Sequence, residues 1–540
     1  MGSDKSCVYG PRWEPTMTPA IRSPFALIPR PVSVTPGPGH FTLTAHTVIH
    51  CDAPSALCAE LLAQRLRFAT GFDIPVQQGE SRTRTQSRIR LQTDLADSAG
   101  LPESYTLSVA THDILITAPR AAGIFYATQT LLQLLPPDIF RDAPVPGVSW
   151  SVPGVRISDC PRFAWRGLML DVSRHYMPKS FIKRFMDLMA LHKLNVLHLH
   201  LTDDQGWRLE IKPYPRLTSV GAWRDETVVD RYTNMPQRFN RIRHGGYYTH
   251  ADIHELVEYG HRRMITIVPE IEMPGHAQAA IAAYPELGNL KTPLKVSGTW
   301  GIHRNIFRPH EKTLRFLQHV LMEVMDLFPS PFIHIGGDEA VKDQWKASPD
   351  AQRKMRQLKL ASENELQSWF IRQMDDFLTA HKRRLIGWDE ILEGGLAPGA
   401  AVMSWRGIKE GIEAARAGHD VVMAPHADTY FDYYQTEALH QEPLAIGGFL
   451  PLEKTYAFEP VPATLTAAEA RHILGAQGQL WSEYIPTPSH MEYMAFPRAA
   501  ALAETTWSQA TQKRYTDFER RMKTHETRLQ ILDVNYRRGG

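Results

Sequence analysis

Residues 331–340 read PFIHIGGDEA. A β-prone apolar run ends in two glycines, and two carboxylates, Asp338 and Glu339, follow side by side. Like charges this close resist joint ionisation, so one carboxyl tends to keep its proton. On an extended backbone neighbouring side chains point to opposite faces. The pair is therefore either a solvated turn, a common sequel to a strand, or two carboxylates with different tasks. The rest of the chain decides between these.

Outward from this run, strand-like and helix-like segments alternate. The strand candidates are RGLMLDV, NVLHLHL, TIVPEIE, PFIHIGG, RLIGWDE, AVMSWRG, DVVMAPH and GAQGQLW. Amphipathic stretches such as PKSFIKRFMDLMALHKL and EKTLRFLQHVLMEVMDLF lie between most of them, and MEYMAFPRAAALAETTW follows the last. Eight such units predict an α/β protein built on a closed (β/α)8 TIM barrel, over residues 154–510. Before it, residues 23–153 mix short β-prone runs with two helical stretches and predict a smaller α+β domain. The Pro- and Gly-rich DAPVPGVSWSVPG reads as the boundary. Residues 511–540 predict a C-terminal helix packed on the barrel, and residues 1–22 a disordered or vector-derived N-terminus.

In such barrels the chemistry sits at the C-terminal ends of the strands. Strand by strand, those ends carry Asp171 and Arg174; Asp203 and Asp204; Glu270, Glu272 and His276; Asp338 and Glu339; Trp388, Asp389 and Glu390; Trp405; Tyr430 and Asp432; Trp481 and Glu483. Carboxylates, an arginine, a histidine and aromatics thus converge on one mouth, which favours the second reading of the Asp-Glu pair.

Bulk properties exclude other classes. The 540 residues carry 60 basic and 58 acidic side chains, a net charge of +2, so neither nucleic acid nor an anionic membrane is expected as partner. No apolar run reaches membrane-spanning length, and the N-terminus lacks a signal-peptide core. The four cysteines, Cys7, Cys51, Cys58 and Cys160, make no disulfide framework; Cys51 and Cys58 are close enough in sequence to pair, but free buried thiols are expected. No metal and no cofactor is expected.

Acidic residues beside tryptophans suit carbohydrate: indole faces pack on sugar C–H faces, while carboxylates and Arg hold hydroxyls. Glycoside hydrolysis usually takes two carboxyl groups on opposite sides of the sugar, and an adjacent pair serves that badly. The difficulty disappears if the substrate supplies the nucleophile. A 2-acetamido group attacks its own anomeric carbon, giving an oxazolinium. The protein then needs one acid and one carboxylate to orient the acetamido N–H.

The motifs GLMLDVSRHYMP, KLNVLHLHLTDDQGWR, EIEMPGHA, HIGGDE, GWDE, SWRG and QLWSE occur in one order along the chain. In this the sequence resembles the family-20 glycoside hydrolases, the β-N-acetylhexosaminidases, from about Arg156 to Trp507, and in the preceding domain through LIPRP and GIFYATQTLLQLLP. The resemblance implies Glu339 as general acid and later base, its pKa raised by burial and by Asp338, with Asp338 orienting the acetamido group. It implies that His276, backed by Asp203, tunes Glu339 and that Tyr430 donates to the acetamido oxygen. Trp388, Trp405 and Trp481 would wall the pocket, and Arg174, Asp432 and Glu483 would hold hydroxyls. The implied activity is retaining, exo-acting removal of terminal β-linked N-acetylglucosamine (GlcNAc), with N-acetylgalactosamine (GalNAc) open, by a monomer or homodimer. Family relatives imply a secreted or periplasmic setting.

Blander readings stand beside these. His198 and His200 share a strand face and read as barrel-interior groups; Asp171 and Asp204 read as structural; Trp207, Trp223 and Trp300 read as loop packing; residues 205–249 read as a roof over the site. Three rival functions remain open. One is a lacto-N-biosidase-like relative that takes a disaccharide unit. Another is a non-catalytic sugar-binding barrel. The third is a metal-dependent hydrolase built on the His198-x-His200 pair with His276, His334 or His426.

Overall fold

The computed structural model describes residues 25–79, 87–94, 101–290 and 292–539. The segment expected to be disordered, residues 1–22, lies outside them. The first domain is a seven-stranded sheet in the order β1 (Ser33–Thr42), β7 (Ser151–Asp159), β5 (Tyr105–Ala110), β6 (Asp113–Ala118), β4 (Arg88–Thr93), β2 (Val48–Cys51), β3 (Val76–Gln78). Strict alternation in YTLSVA buries Tyr105, Leu107 and Val109 on one face. Helices α1 (Ala56–Thr70) and α2 (Ala121–Leu134) pack on that sheet. α2 is buried over most of its surface, because it lies between the sheet and the barrel helix Lys179–Leu191. Cys51, Cys58 and Cys160 are free thiols.

Strand β7 carries the sheet past the boundary expected at residue 153. Pro153 and Gly154, which suggested a linker, instead serve a close approach: a Cβ on Gly154 would stand 2.4 Å from the Pro38 carbonyl, opposite the irregular stretch of edge strand β1.

The second domain is a closed barrel of eight parallel strands, running round it in chain order. They are Trp165–Asp171, Val196–His200, Thr266–Glu270, Phe332–His334, Arg384–Trp388, Ala401–Ser404, Val421–Met423 and Ile473–Leu480; six lie within the runs expected from the sequence, and the first and last begin one and two residues earlier. Strands buried on both faces read as continuous apolar runs, and the first and second strands are buried throughout, His198 and His200 included. The final stretch MEYMAFPRAAALAETTW is two helices, Pro488–Ala495 and Arg498–Trp507, because Pro497 cannot continue the first. Among the described residues no helix is long and apolar enough to cross a membrane.

Buried ion pairs join the two domains. Arg166 at the start of the first barrel strand meets both Glu103 oxygens at 3.0 and 2.8 Å. Lys193 Nζ lies 2.9 Å from Asp159 Oδ2, and the Trp507 indole donates to the same carboxylate at 3.0 Å. The C-terminal helix, Tyr515–Ile531, seats on both domains: Arg521 pairs with Glu504 at 2.6 Å and donates to the Leu27 carbonyl, while Arg528 donates to the Gln133 carbonyl. His525 on this helix and His192, just after Lys179–Leu191, face each other with their Nε2 atoms 2.9 Å apart.

Candidate active site

Three residues separate the last paired residue of the fourth strand, His334, from Asp338. In between, Gly336 and Gly337 adopt φ of +67° and +93°, and Glu339 itself has φ +45°. That left-handed corner overturns the expectation that neighbouring side chains point to opposite faces, which holds only for extended backbone. Both carboxylates face one histidine instead: His276 Nε2 is 3.6 Å from Asp338 Oδ2 and 3.5 Å from Glu339 Oε2. His276 is also left-handed, at φ +48°. The preceding Gly275 is required, since a Cβ there would stand 2.9 Å from the Asp338 carbonyl. Gly336 is required too, since its Cβ would overlap the Glu272 carboxylate.

Behind His276 stand two carboxylates rather than the one expected: Nδ1 is 3.2 Å from Asp203 Oδ1 and 3.3 Å from Asp204 Oδ2. Asp204, which the sequence offered only as a structural residue, therefore shares the task. The doublet TDD was the available signal. Burial disfavours an imidazolium, but the charges of Asp203, Asp204 and Asp338 outweigh it and hold His276 well above the ordinary histidine value. Asp338 is buried, whereas the Glu339 side chain is 30% exposed.

Arg174 comes to the mouth held by three side chains. Its Nη2 meets Asp203 Oδ2 at 2.8 Å, Nε donates to Gln205 Oε1 at 3.0 Å, and Nη1 reaches Asp171 Oδ2 at 3.3 Å. Its guanidinium lies over the Trp481 ring at 5.0 Å. Asp171 also accepts from the Ser173, Arg174 and Ser482 N–H groups, the structural task expected of it.

The aromatics form a wall and a floor. Trp405 stacks on Tyr430 with centroids 6.1 Å apart and planes 17° apart. Trp388 is almost wholly buried 5.6 Å from Trp481, and its indole donates to Glu270 at 2.8 Å. It is thus the floor beneath the wall. The fifth strand builds the sixth: Asp389 accepts the Trp405 and Arg406 N–H groups, and Glu390 accepts the Trp405 indole N–H at 2.8 Å. Burial first, and then the nearby Asp338 charge, push the Glu390 carboxyl up to about 8. Sequence reading placed Asp389 and Glu390 at the mouth but gave them no task. Asp432 and Glu483 are held above the usual carboxylate range, chiefly by burial. Neither Asp338 Oδ1 nor Asp432 Oδ1 accepts a hydrogen bond from the described residues.

The 205–249 segment closes over the rim through two buried guanidiniums. Arg208 donates to the carbonyls of Val172, Ser173, Ala222 and Gly246, and Arg224 donates to the Arg174 carbonyl and Thr227 Oγ1. His198 and His200 are interior groups, both joined to Glu270. His198, Glu270 and His334 bring ligand atoms within 4.8 Å of one another, a spacing a cation could use. His426 instead contacts the Trp405 and Tyr430 rings.

A sheet-flanked (β/α)8 barrel whose mouth sets acids against stacked aromatics is of the glycoside-hydrolase class. Comparison with known proteins makes this specific. Residues 163–510 match the catalytic domain of glycosyl hydrolase family 20, and residues 25–160 match domain 2 of the same family. The chain belongs to that family. It is 42% identical to a β-hexosaminidase of Porphyromonas gingivalis over 513 residues, covering 94% of this chain and 64% of that protein's length. The β-N-acetylhexosaminidase structure of Streptomyces coelicolor A3(2) superimposes with a TM-score of 0.81 at 32% identity, over 95% of this chain and 97% of the other. A Streptomyces plicatus β-hexosaminidase variant, solved in complex with product GlcNAc, matches with the same TM-score and identity over 95% and 96%.

Proposed function

We propose that this chain is a retaining exo-β-N-acetylhexosaminidase that removes terminal β-linked GlcNAc by substrate-assisted catalysis. One observation carries the reading. The Asp338, Glu339 and His276 ligand atoms lie within 4.8 Å of one another. Protein nucleophile and acid flank the bond in ordinary retaining enzymes with carboxyls about 5–5.5 Å apart. Two carboxylates converging on one imidazole serve one side of the sugar, so the nucleophile comes from the substrate.

In the first step Glu339 gives its proton to the glycosidic oxygen as the C1–O bond breaks. The acetamido carbonyl oxygen closes on C1, and Asp338 holds the acetamido N–H and balances the positive oxazolinium. Tyr430 orients the acetamido oxygen, and Trp405, Trp481 and the Trp388 floor confine the ring. In the second step Glu339 takes a proton from water, which attacks C1 from the face the leaving group vacated, so the β configuration is kept. Arg174, Asp432 and Glu483 hold the outer hydroxyls. A relative of this fold and size carries product GlcNAc, which supports the substrate class.

The test is release of 4-nitrophenol from the β-N-acetylglucosaminide, the β-N-acetylgalactosaminide and the β-glucoside, each with and without EDTA. Cleavage of acetamido sugars alone, unaffected by EDTA, is expected. A thiazoline analogue of the oxazolinium should bind far more tightly than GlcNAc. Equal cleavage of the glucoside refutes the substrate nucleophile. Silence on all monosaccharide substrates with cleavage of a lacto-N-biose glycoside would select the disaccharide-releasing alternative. Loss of activity in EDTA would select the metal hydrolase.

A further inference from the structure

The line of acids and histidines does not stop at Asp203. On its barrel side His200 Nε2 meets Asp203 Oδ2 at 2.8 Å, and His200 Nδ1 meets Glu270 Oε2 at 2.5 Å. From the barrel interior to the mouth the order is Glu270, His200, Asp203, His276, Glu339. All but Glu339 are buried. We propose that Glu270 and His200 extend the Asp203–His276 line, with His200 a positioning residue that fixes Asp203 and, through His276, sets the protonation of Glu339. The inference rests on Glu339 being the general acid.

The geometry defines the proton inventory. Ionised carboxylates accept only, and Glu270 and Asp203 are both held well below the usual carboxylate range by their cationic neighbours, so His200, between the two, carries both of its protons. Asp203 is then saturated: Oδ1 takes the Asp204 N–H at 2.6 Å and His276 Nδ1, and Oδ2 takes His200 Nε2 and Arg174 Nη2 at 2.8 Å each. Without His200, the Arg174 cation, on the hydroxyl-binding side, is the only partner of Oδ2 among the described residues and draws the carboxylate away from His276. Other groups facing His200 point the same way. Asp171 adds a negative charge, and the Trp481 ring meets the imidazole edge-on at 4.9 Å, whereas Glu272, whose Oε1 stands 4.0 Å from Nδ1, is held well above the usual carboxylate range by burial and by Asp338 and Glu270. His198, two residues back, shares Glu270 and opposes a second charge on this cluster, as does His334. Burial disfavours the imidazolium, yet Glu270 and Asp203 outweigh it and raise His200 to about 10.

The readout is leaving-group dependence. A 2,4-dinitrophenyl group departs without a proton, whereas a 4-methoxyphenyl group needs one. His200→Gln should lose roughly 10- to 100-fold in kcat on the 4-methoxyphenyl β-N-acetylglucosaminide, part of the 10²–10⁴ that a placed general acid contributes. It should lose little on the dinitrophenyl substrate, and the alkaline limb of its kcat/KM profile should move. Glu270→Gln should show the same pattern more weakly. Equal loss on both substrates, or no loss on either, overturns the relay. Glu339→Gln is the control for the underlying reading: if it too lacks leaving-group selectivity, Glu339 is not the acid and both fall. If the interior variants do not fold, 15N spectra of the labelled wild-type histidines at pH 8.5 decide. Two doubly protonated rings are expected, and fewer overturn the proposal.

Discussion

The contact between His192 and His525 makes the seating of the C-terminal helix sensitive to acid. His192 Nδ1 lies 2.7 Å from the Leu188 carbonyl, which only accepts, so Nδ1 carries the proton and Nε2 is bare. His525 Nε2 must then donate across the 2.9 Å gap, leaving its own Nδ1 to accept from Arg528 at 3.4 Å. Every tautomer is assigned and both rings are neutral. A further proton on His192 would face an N–H. Burial, with the Arg528 charge, lowers His192 to about 4, and burial with the His192, Arg528 and Arg521 neighbours lowers His525 well below the usual value. The folded value is depressed, so the stabilisation is complete above the unfolded value near 6.5. It drains as pH falls through 6.5 towards 4. For His192 alone the loss is about 1.4 kcal/mol at pH 5.5 and about 2.6 kcal/mol at pH 4.5; His525 adds to it. Urea unfolding of the wild type and a His192→Leu/His525→Leu variant at pH 7.5, 5.5 and 4.5 reads this directly. Replacing both partners by apolar groups is near neutral at high pH, so the curves should start close and separate in acid, with the wild type falling faster. Parallel curves would refute the neutral-pair assignment.

Other perturbations separate chemistry from scaffold. Asp338→Asn should lower kcat about 10²–10³-fold with KM within a few fold, because its charge matters most when the oxazolinium forms; a change in KM alone would remove that role. Glu390→Leu strands the Trp405 indole N–H at about 1–3 kcal/mol, so KM should rise ~5- to 150-fold, while Glu390→Gln, which keeps an acceptor, should stay near wild type. An unchanged KM in the leucine variant would mean the indole needs no such support. Lys193→Met leaves Asp159 buried without its cation and should cost about 3–5 kcal/mol in unfolding free energy, with kcat/KM intact at 25 °C. Lost activity without lost stability would instead place the domain junction in the site.

The barrel was legible because its signal is local. Each strand is a short apolar run and each helix an amphipathic stripe, and the order of polar residues at the strand ends identified the mouth. What escaped was set by tertiary partners. The common aim of Asp338 and Glu339 depends on two left-handed glycines and on an imidazole delivered by a different strand. His200 showed its strand face in HLH, but not that a glutamate from the third strand would meet it. Asp204 and Asp203 look equivalent in TDD, and only the position of His276 shows that both back it. Pro153–Gly154 was read by composition alone, and Pro497 was passed over inside a single helical stretch. One proved to be a sheet contact and the other a helix break.

The left-handed backbone at Glu339 and His276 has an evolutionary consequence. Non-glycine residues in that region cost on the order of 1–3 kcal/mol each and persist only where their surroundings impose them. On the proposed mechanism the two positions nearest the proton transfer are thus also places where heat resistance can be gained cheaply: asparagine or glycine relaxes the strain and would destroy the proposed acid or its partner. Selection on melting temperature alone would drift towards durable, inert barrels. Any effort to harden this enzyme therefore needs turnover as a second criterion from its first round.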